Sequence, residues 1–258
     1  MDASQGETLE VVEYVDALET AGRALAVAAG EAGPDAEVPT CPGWRVRDLL
    51  RHTSMVHRWA TDLVAHARTT YQPDSGETSL DGEELLAYFR DGHAGLVDAL
   101  RAAPESLECW TFLPAPSPLA FWARRQAHET IVHRADAESA LPAGPRPVEP
   151  SVAVDGIDEL LFRFHGRNRS RVRTPEPRTL RVRATDTGAA WTVRLSATEP
   201  PRTERDARAA GPVDTELAGA ADRLYLVLWN RLPVDAVTLT GDEELARVWR
   251  ETSGIGWS

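Results

Sequence analysis

The feature that most restricts the fold is a change of hydrophobic period across one proline-rich stretch. Before residue 141, apolar residues recur every three or four positions; after 151, segments that alternate every second position appear among short helices. Between them lies LPAGPRPVEPS (141–151), with four prolines and a glycine, a composition that no regular element spans and that reads as a linker. The pattern predicts two domains: a four-helix bundle over 1–141 and a small α+β domain over 151–258.

The helical half divides at polar links. Ser4 and Glu7 form a possible capping box, and Leu9, Val12, Val15, Leu18 and Leu25 follow at helical spacing to Gly30. A second helix is expected after Pro42-Gly43-Trp44 and to about Ala67, with a stripe of Val46, Leu49, Leu50, Thr53, Val56, Ala60 and Leu63. Asp81 and Glu84 can cap a third, whose inner face carries Leu85, Phe89, Leu96 and Leu100. Ser117 with Pro118 at the first helical position opens a fourth, which ends before Leu141-Pro142.

In the second half, a short helix with Ile157, Leu160, Leu161 and Phe164 comes first. TLRVRA and AAWTVRLSA alternate at period two around Thr185-Asp186-Thr187-Gly188, which predicts a hairpin. DTELAG reads as a third strand, ADRLYLVLWNRL as an apolar helix, AVTLTG as another strand and DEELARVWRE as a final helix.

Composition narrows the function classes. No apolar run approaches the roughly 20 residues of a membrane span, and MDASQGETLE has neither a basic nor an apolar leader segment. The expectation is a cytoplasmic protein with no membrane partner. Two cysteines, Cys41 and Cys109, make no disulfide framework. Of the net charge of −12, residues 1–141 carry all of it, with 23 Asp and Glu against 11 Arg, while 142–258 hold 17 of each. An acidic bundle disfavours nucleic acid as a partner.

Within the bundle, Glu129 and His133 are four residues apart on the fourth helix and project from one face. At about 100° per residue, His52 falls at the edge of the second helix's apolar stripe, where it can face the bundle interior. His57 is rotated about 140° from His52, His66 lies roughly 21 Å further along the axis, and His128 is turned about 100° from Glu129. Geometry thus selects His52, Glu129 and His133 as a candidate metal trio, with Asp136 able to orient a ligand. Three N/O ligands leave a fourth position open, as catalytic sites do. Spacing alone also fits a hydrogen-bonded core histidine and a Glu–His pair on a solvated face.

The words VPTCPGWRVRDLLRHTSMVHRW and WARRQAHETIVHRADAESAL resemble the mycothiol-dependent maleylpyruvate isomerase family. Pro42-Gly43-Trp44, Asp48-Leu49 and His52 match its first motif; Glu129, His133, Arg134 and Asp136 match its second. ADRLYLVLWNR and VTLTGDEEL resemble its smaller C-terminal domain. Arg45 stands where the family commonly has Thr or Ser. The resemblance implies a DinB-like metal-binding four-helix bundle followed by a small α+β domain. It implies a divalent metal, most simply Zn²⁺, on His52, Glu129 and His133, and a low-molecular-weight thiol, mycothiol, as cofactor. The thiolate would add to an activated cis double bond, the resulting single bond would rotate, and loss of thiolate would leave the trans isomer. A detoxifying S-transferase would share the thiol-activating half of that chemistry. The partner is then a small-molecule electrophile or an unsaturated dicarboxylate.

A dicarboxylate needs cationic contacts, and Arg231, closing LYLVLWNR, is the catalytic candidate for that role; capping its own helix is the structural alternative. Cys41, before Pro42 at a helix start, could act as a nucleophile, although ordinary packing accounts for it as well. Residues 163–183 hold eight Arg and one Glu, which suit a solvated face or an anion contact. Trp44 and Trp59 suit core or groove-lining positions. The alternative to an enzyme is a non-catalytic metal- or ligand-binding regulatory protein on the same bundle.

Overall fold

A computed structural model describes residues 9–205 and 211–255 of the chain. Glu10–Arg146 forms one compact unit, and the chain from Pro147 onward forms a second.

The first unit is built from helices α1 (Val11–Ala32), α2 (Val46–Ala65), α3 (Gly82–Ala102) and α4 (Pro118–Ser139). Each begins where a side chain can accept an otherwise unpaired backbone N–H. The Glu13 carboxylate accepts from Glu10 N at 2.7 Å. The expected Ser4–Glu7 box lies outside the described residues. Asp48 accepts from Arg45 N at 2.9 Å, so α2 starts cleanly although Arg45 is a poor capping residue. Asp81 accepts from Gly82 N, and Ser117 accepts from Ala120 N with Pro118 at the first helical position. α4 packs along α1, and α2 packs along α3. Their shared interior holds Leu18, Leu25, Leu49, Leu63, Leu85, Phe89, Leu96 and Trp122, all fully buried. Each such side chain contributes about 1.5–3 kcal/mol on burial.

The connection into α2 is a short constrained turn. Pro42 sets φ at its second position, Gly43 takes φ 87° at the third, and Trp44 N donates to Cys41 O at 2.9 Å. That is a type II turn, which requires glycine where φ is positive. Val38 N donates to Trp44 O, and an isolated bridge joins Glu37 to Arg45. Thr40, immediately before this turn, reaches the C-terminal end of α4.

The second unit begins with α5 (Pro150–Asp158), which passes directly into a π-helical segment, Glu159–Phe164. The hydrophobic spacing gave no sign of that switch from α to π. A five-stranded sheet follows in the order β3-β2-β1-β4-β5, made of β1 (Arg178–Ala184), β2 (Ala190–Leu195), β3 (Arg202–Arg205), β4 (Thr215–Gly219) and β5 (Thr238–Gly241). β1 and β2 form the expected hairpin, with Val182 opposite Trp191. β4 runs parallel to β1, and β3 and β5 are the antiparallel edges. DTELAG is therefore the fourth strand, not the third: β3, RTER, is polar throughout and lacked any alternation to reveal it. Helices α6 (Ala221–Leu228) and α7 (Glu243–Thr252) complete the unit. Ile157, Leu161, Leu180, Val182, Trp191, Val193, Leu217, Leu224 and Tyr225 form its core. Among the described residues no helix is long and apolar enough to cross a membrane.

Candidate metal centre

α4 differs from its neighbours in being buried on nearly every side while carrying many charges. Arg125, His128, Glu129, His133, Arg134, Asp136 and Glu138 are all buried. Buried charges persist where they pair with one another or hold an ion. The reading of Glu129 and His133 as a pair on a solvated face is therefore incorrect: this face of α4 points into the protein.

His52 from α2 meets Glu129 and His133 from α4, and one potential ligand atom of each lies within 4.8 Å of the others. Glu129 Oε1 is 3.2 Å from His133 Nε2 and 3.8 Å from His52 Nε2. Ligand atoms about 2.05 Å from a tetrahedral zinc sit about 3.3 Å apart, near the two distances to Glu129 Oε1, and the full set, within 4.8 Å, would draw in around an ion. Two imidazoles and one carboxylate are also a donor set that catalytic zinc sites use. His52 is the most open of the three, with its side chain 14% exposed, and Glu77 approaches its Nδ1 at 4.0 Å. The Trp44 ring, presented by the type II turn, stands 5.2 Å from the His52 ring.

His133 is oriented from behind. Its Nδ1 donates to Asp136 Oδ2 at 2.9 Å, and Thr40 Oγ1 donates to Asp136 Oδ1 at 2.6 Å. Asp136 holds the Nδ1 proton while Nε2 points at Glu129 and His52, so an ion that takes the place of the Nε2 proton would complete the arrangement that carboxylate–histidine–metal sites require. Burial by itself would lower the His133 pKa, yet hydrogen bonds to Asp136 and Glu129 push it up to about 9. Burial would raise the Glu129 carboxyl, but hydrogen bonds from His133 and His52, and the charge of Arg125, hold it well below the usual carboxylate range.

The other histidines go elsewhere. His57 is fully buried and shares a hydrogen bond with Thr130 Oγ1 at 2.9 Å; burial lowers its pKa well below the ordinary value. His128 packs edge-on to Tyr14. His66 is exposed beside Asp62. Cys41 is half-buried against the apolar cluster that contains Val38 and Ala137. Within 163–183, Arg178 pairs with Asp214 and Asp242, and Arg181 and Arg183 pair with Glu216. Arg231 lies in the second unit, just past α6, where its Nη1 donates to Trp229 O at 2.8 Å. That contact is the helix-capping use foreseen as the alternative to substrate binding.

Two participants escaped the sequence reading. Thr40 had no signal, because its role depends on a turn meeting a helix end far away in sequence. Arg125 had one: it precedes Glu129 by four residues, the same spacing that picked out His133, and its Nη2 donates to Glu129 Oε2 at 3.1 Å.

Comparison with known proteins gives a consistent result. The family model described as the mycothiol maleylpyruvate isomerase N-terminal domain matches residues 15–138, and the MDMPI C-terminal domain model matches 151–247. A crystal structure of the mycothiol-dependent maleylpyruvate isomerase aligns with a TM-score of 0.61 at 13% identity, covering 90% of this chain and 93% of that one. A histidine-to-alanine mutant of that isomerase aligns with the same TM-score and coverage at 12% identity. Likeness at this identity is a likeness of fold. No curated protein matches the chain significantly.

Proposed function

The chain belongs to the mycothiol maleylpyruvate isomerase family, and from that membership we propose that it is a metal-dependent enzyme that uses mycothiol or a close thiol relative to isomerise an unsaturated dicarboxylate. The observation that carries the metal dependence is the convergence of His52, Glu129 and His133, with His133 already oriented by Asp136. His52, Glu129 and His133 would hold the ion. A bound divalent ion, zinc being the best match to these donors, would supply the Lewis acidity that deprotonates a thiol near neutral pH.

The residues divide the remaining work. Asp136 keeps the His133 proton on Nδ1, and Thr40 keeps Asp136 in place. Glu129 contributes the one negative charge among the three ligands, which leaves a divalent ion a net positive charge for an anionic fourth ligand. Trp44 covers one side of His52 and limits water there. Arg231 remains the candidate for gripping a substrate carboxylate. S-transfer to an electrophile is the finer alternative on the same centre.

Metal analysis of purified protein, followed by calorimetric titration with mycothiol and other thiols, tests this reading. The metal-loaded protein is expected to bind the thiol with proton release, seen as a buffer-dependent enthalpy; protein stripped of metal and His133→Ala should show neither. Wild-type metal stoichiometry in His52→Ala would remove His52 from the ligand set. Thiol consumption separates the two reactions: an isomerase regenerates its thiol, whereas a transferase consumes one per product.

A further inference from the structure

Glu129 uses its two carboxylate oxygens in different ways. Oε1 faces His133 Nε2 at 3.2 Å and His52 Nε2 at 3.8 Å. Oε2 accepts a hydrogen bond from Arg125 Nη2 at 3.1 Å. Arg125 sits one helical turn before Glu129 on α4, and its side chain is only 1% exposed. Burying a guanidinium beside a carboxylate gives little net stability compared with an apolar pair of the same size, so stability alone is a weak account of this one.

We propose that Arg125 is a positioning residue that holds Glu129 Oε2 aside, so that Glu129 would offer a single oxygen to an ion and leave room there for the thiol. The inference rests on the metal reading above. A carboxylate with both oxygens free can close on a divalent ion through both, adding a ligand and crowding the open position. Arginine suits the task because its planar fork directs its donors and its charge is permanent, whereas the lysine ammonium is a point charge without fixed direction. The guanidinium also offsets the Glu129 charge, which leaves the ion more electrophilic toward an anionic sulfur. The same i,i+4 stacking that brings His133 to one end of Glu129 brings Arg125 to the other, so one face of α4 carries both the ligands and the clamp.

Cobalt(II) substitution tests the proposal through a readout that a simple structural ion pair would leave alone. The full-length wild type, Arg125→Met and Arg125→Lys would each be loaded with Co²⁺, after circular dichroism shows that they are folded. The wild type is expected to show the intense visible bands of four-coordinate cobalt. In Arg125→Met the bands should weaken severalfold toward a five-coordinate spectrum, with metal affinity kept or raised because Glu129 gains a second contact and a nearby positive charge is gone. Arg125→Lys keeps the charge and loses the fork, so its band shape should shift as well. An unchanged cobalt spectrum in Arg125→Met would overturn the proposal. Should that variant fail to fold, an unchanged spectrum in Arg125→Lys would do the same. A wild-type protein that takes up no cobalt would refute the metal reading itself and this inference with it, which keeps the two failures distinct.

Discussion

Replacing Asp136 with asparagine probes how much of the candidate centre depends on a residue that would not bind the ion itself but bonds one of its ligands. The Asp136 carboxylate is fully buried and serves two donors, His133 Nδ1 at 2.9 Å and Thr40 Oγ1 at 2.6 Å. Asparagine has one oxygen for the two. If that oxygen stays on His133, the imidazole keeps an acceptor but loses a charged one, at a cost of about 1–1.5 kcal/mol. If the amide NH₂ faces His133 instead, it drives the ring proton to Nε2 and removes the lone pair that would bind metal. At about 1.4 kcal/mol per tenfold, the metal dissociation constant should rise about 10-fold in the first case and up to about 100-fold in the second. Thr40→Val removes one donor and leaves the carboxylate, so its effect should be smaller, about 1 kcal/mol or roughly fivefold. Competition against a chromogenic chelator, on variants whose circular dichroism matches wild type, measures both. An Asp136→Asn protein that binds metal as tightly as wild type would refute the claim that Asp136 sets the His133 tautomer. A larger loss in Thr40→Val than in Asp136→Asn would refute the order of dependence.

Three further outcomes follow from other parts of the molecule. His128→Ala should keep wild-type metal content while His133→Ala loses it, because His128 is turned away against Tyr14; comparable loss in both, measured per folded chain, would mean that His128 takes part. Gly22→Ala should lower the melting temperature, since a Cβ there would lie 2.2 Å from His93 Nε2, which bonds Leu18 O at 3.1 Å. The clash and the strained bond should outweigh the gain of about 1 kcal/mol in helix propensity, for a net loss of about 1–3 kcal/mol; a raised melting temperature would refute this. Burial, with the Arg167 charge, lowers the His165 pKa from 6.5 to about 4. The unfolded chain therefore binds a proton that the folded chain refuses between those values, so stability is full above pH 6.5 and falls with acid. The His165 share is about 3 kcal/mol, and denaturant titrations from pH 7.5 to 4 should show a shallower slope in His165→Phe; an unchanged slope would remove His165 as a source.

The fold class was legible because local signals and burial agree over most of the chain. Asp81, Ser117-Pro118 and Pro42-Gly43 mark helix starts by chemistry that acts within a few residues, and the structure places α2, α3 and α4 at those marks. The β1–β2 hairpin was legible for the same reason: Leu180 and Val182 alternate with Arg181 and Arg183 and are fully buried, although Arg181 is also buried, paired with Glu216. β3 was not, since an edge strand of Arg202, Thr203, Glu204 and Arg205 buries no side chain fully and owes its conformation to pairing with β2. The switch from α5 to a π-helical segment at Glu159 was equally silent, because Leu160, Leu161 and Phe164 are compatible with either winding.

The candidate centre was legible by a different route. On α4, apolar and charged residues are mixed around the whole helix, which by hydrophobic pattern alone is the least amphipathic of the four. In an ordinary surface helix that mixture would mean exposure. Here Glu129, His133 and Asp136 are nonetheless buried, and each finds its partner at i+3 or i+4 on the same helix or in the turn that carries Thr40. Spacing therefore recovered the contacts made within α4, and the wheel position of His52 recovered the one made across to α2. It could not recover Thr40, whose bond to Asp136 spans 96 residues and depends on the type II turn fixing its loop. Arg125 carries the same spacing signal: the i,i+4 stacking that sets His133 on Glu129 sets Arg125 on it from the other side.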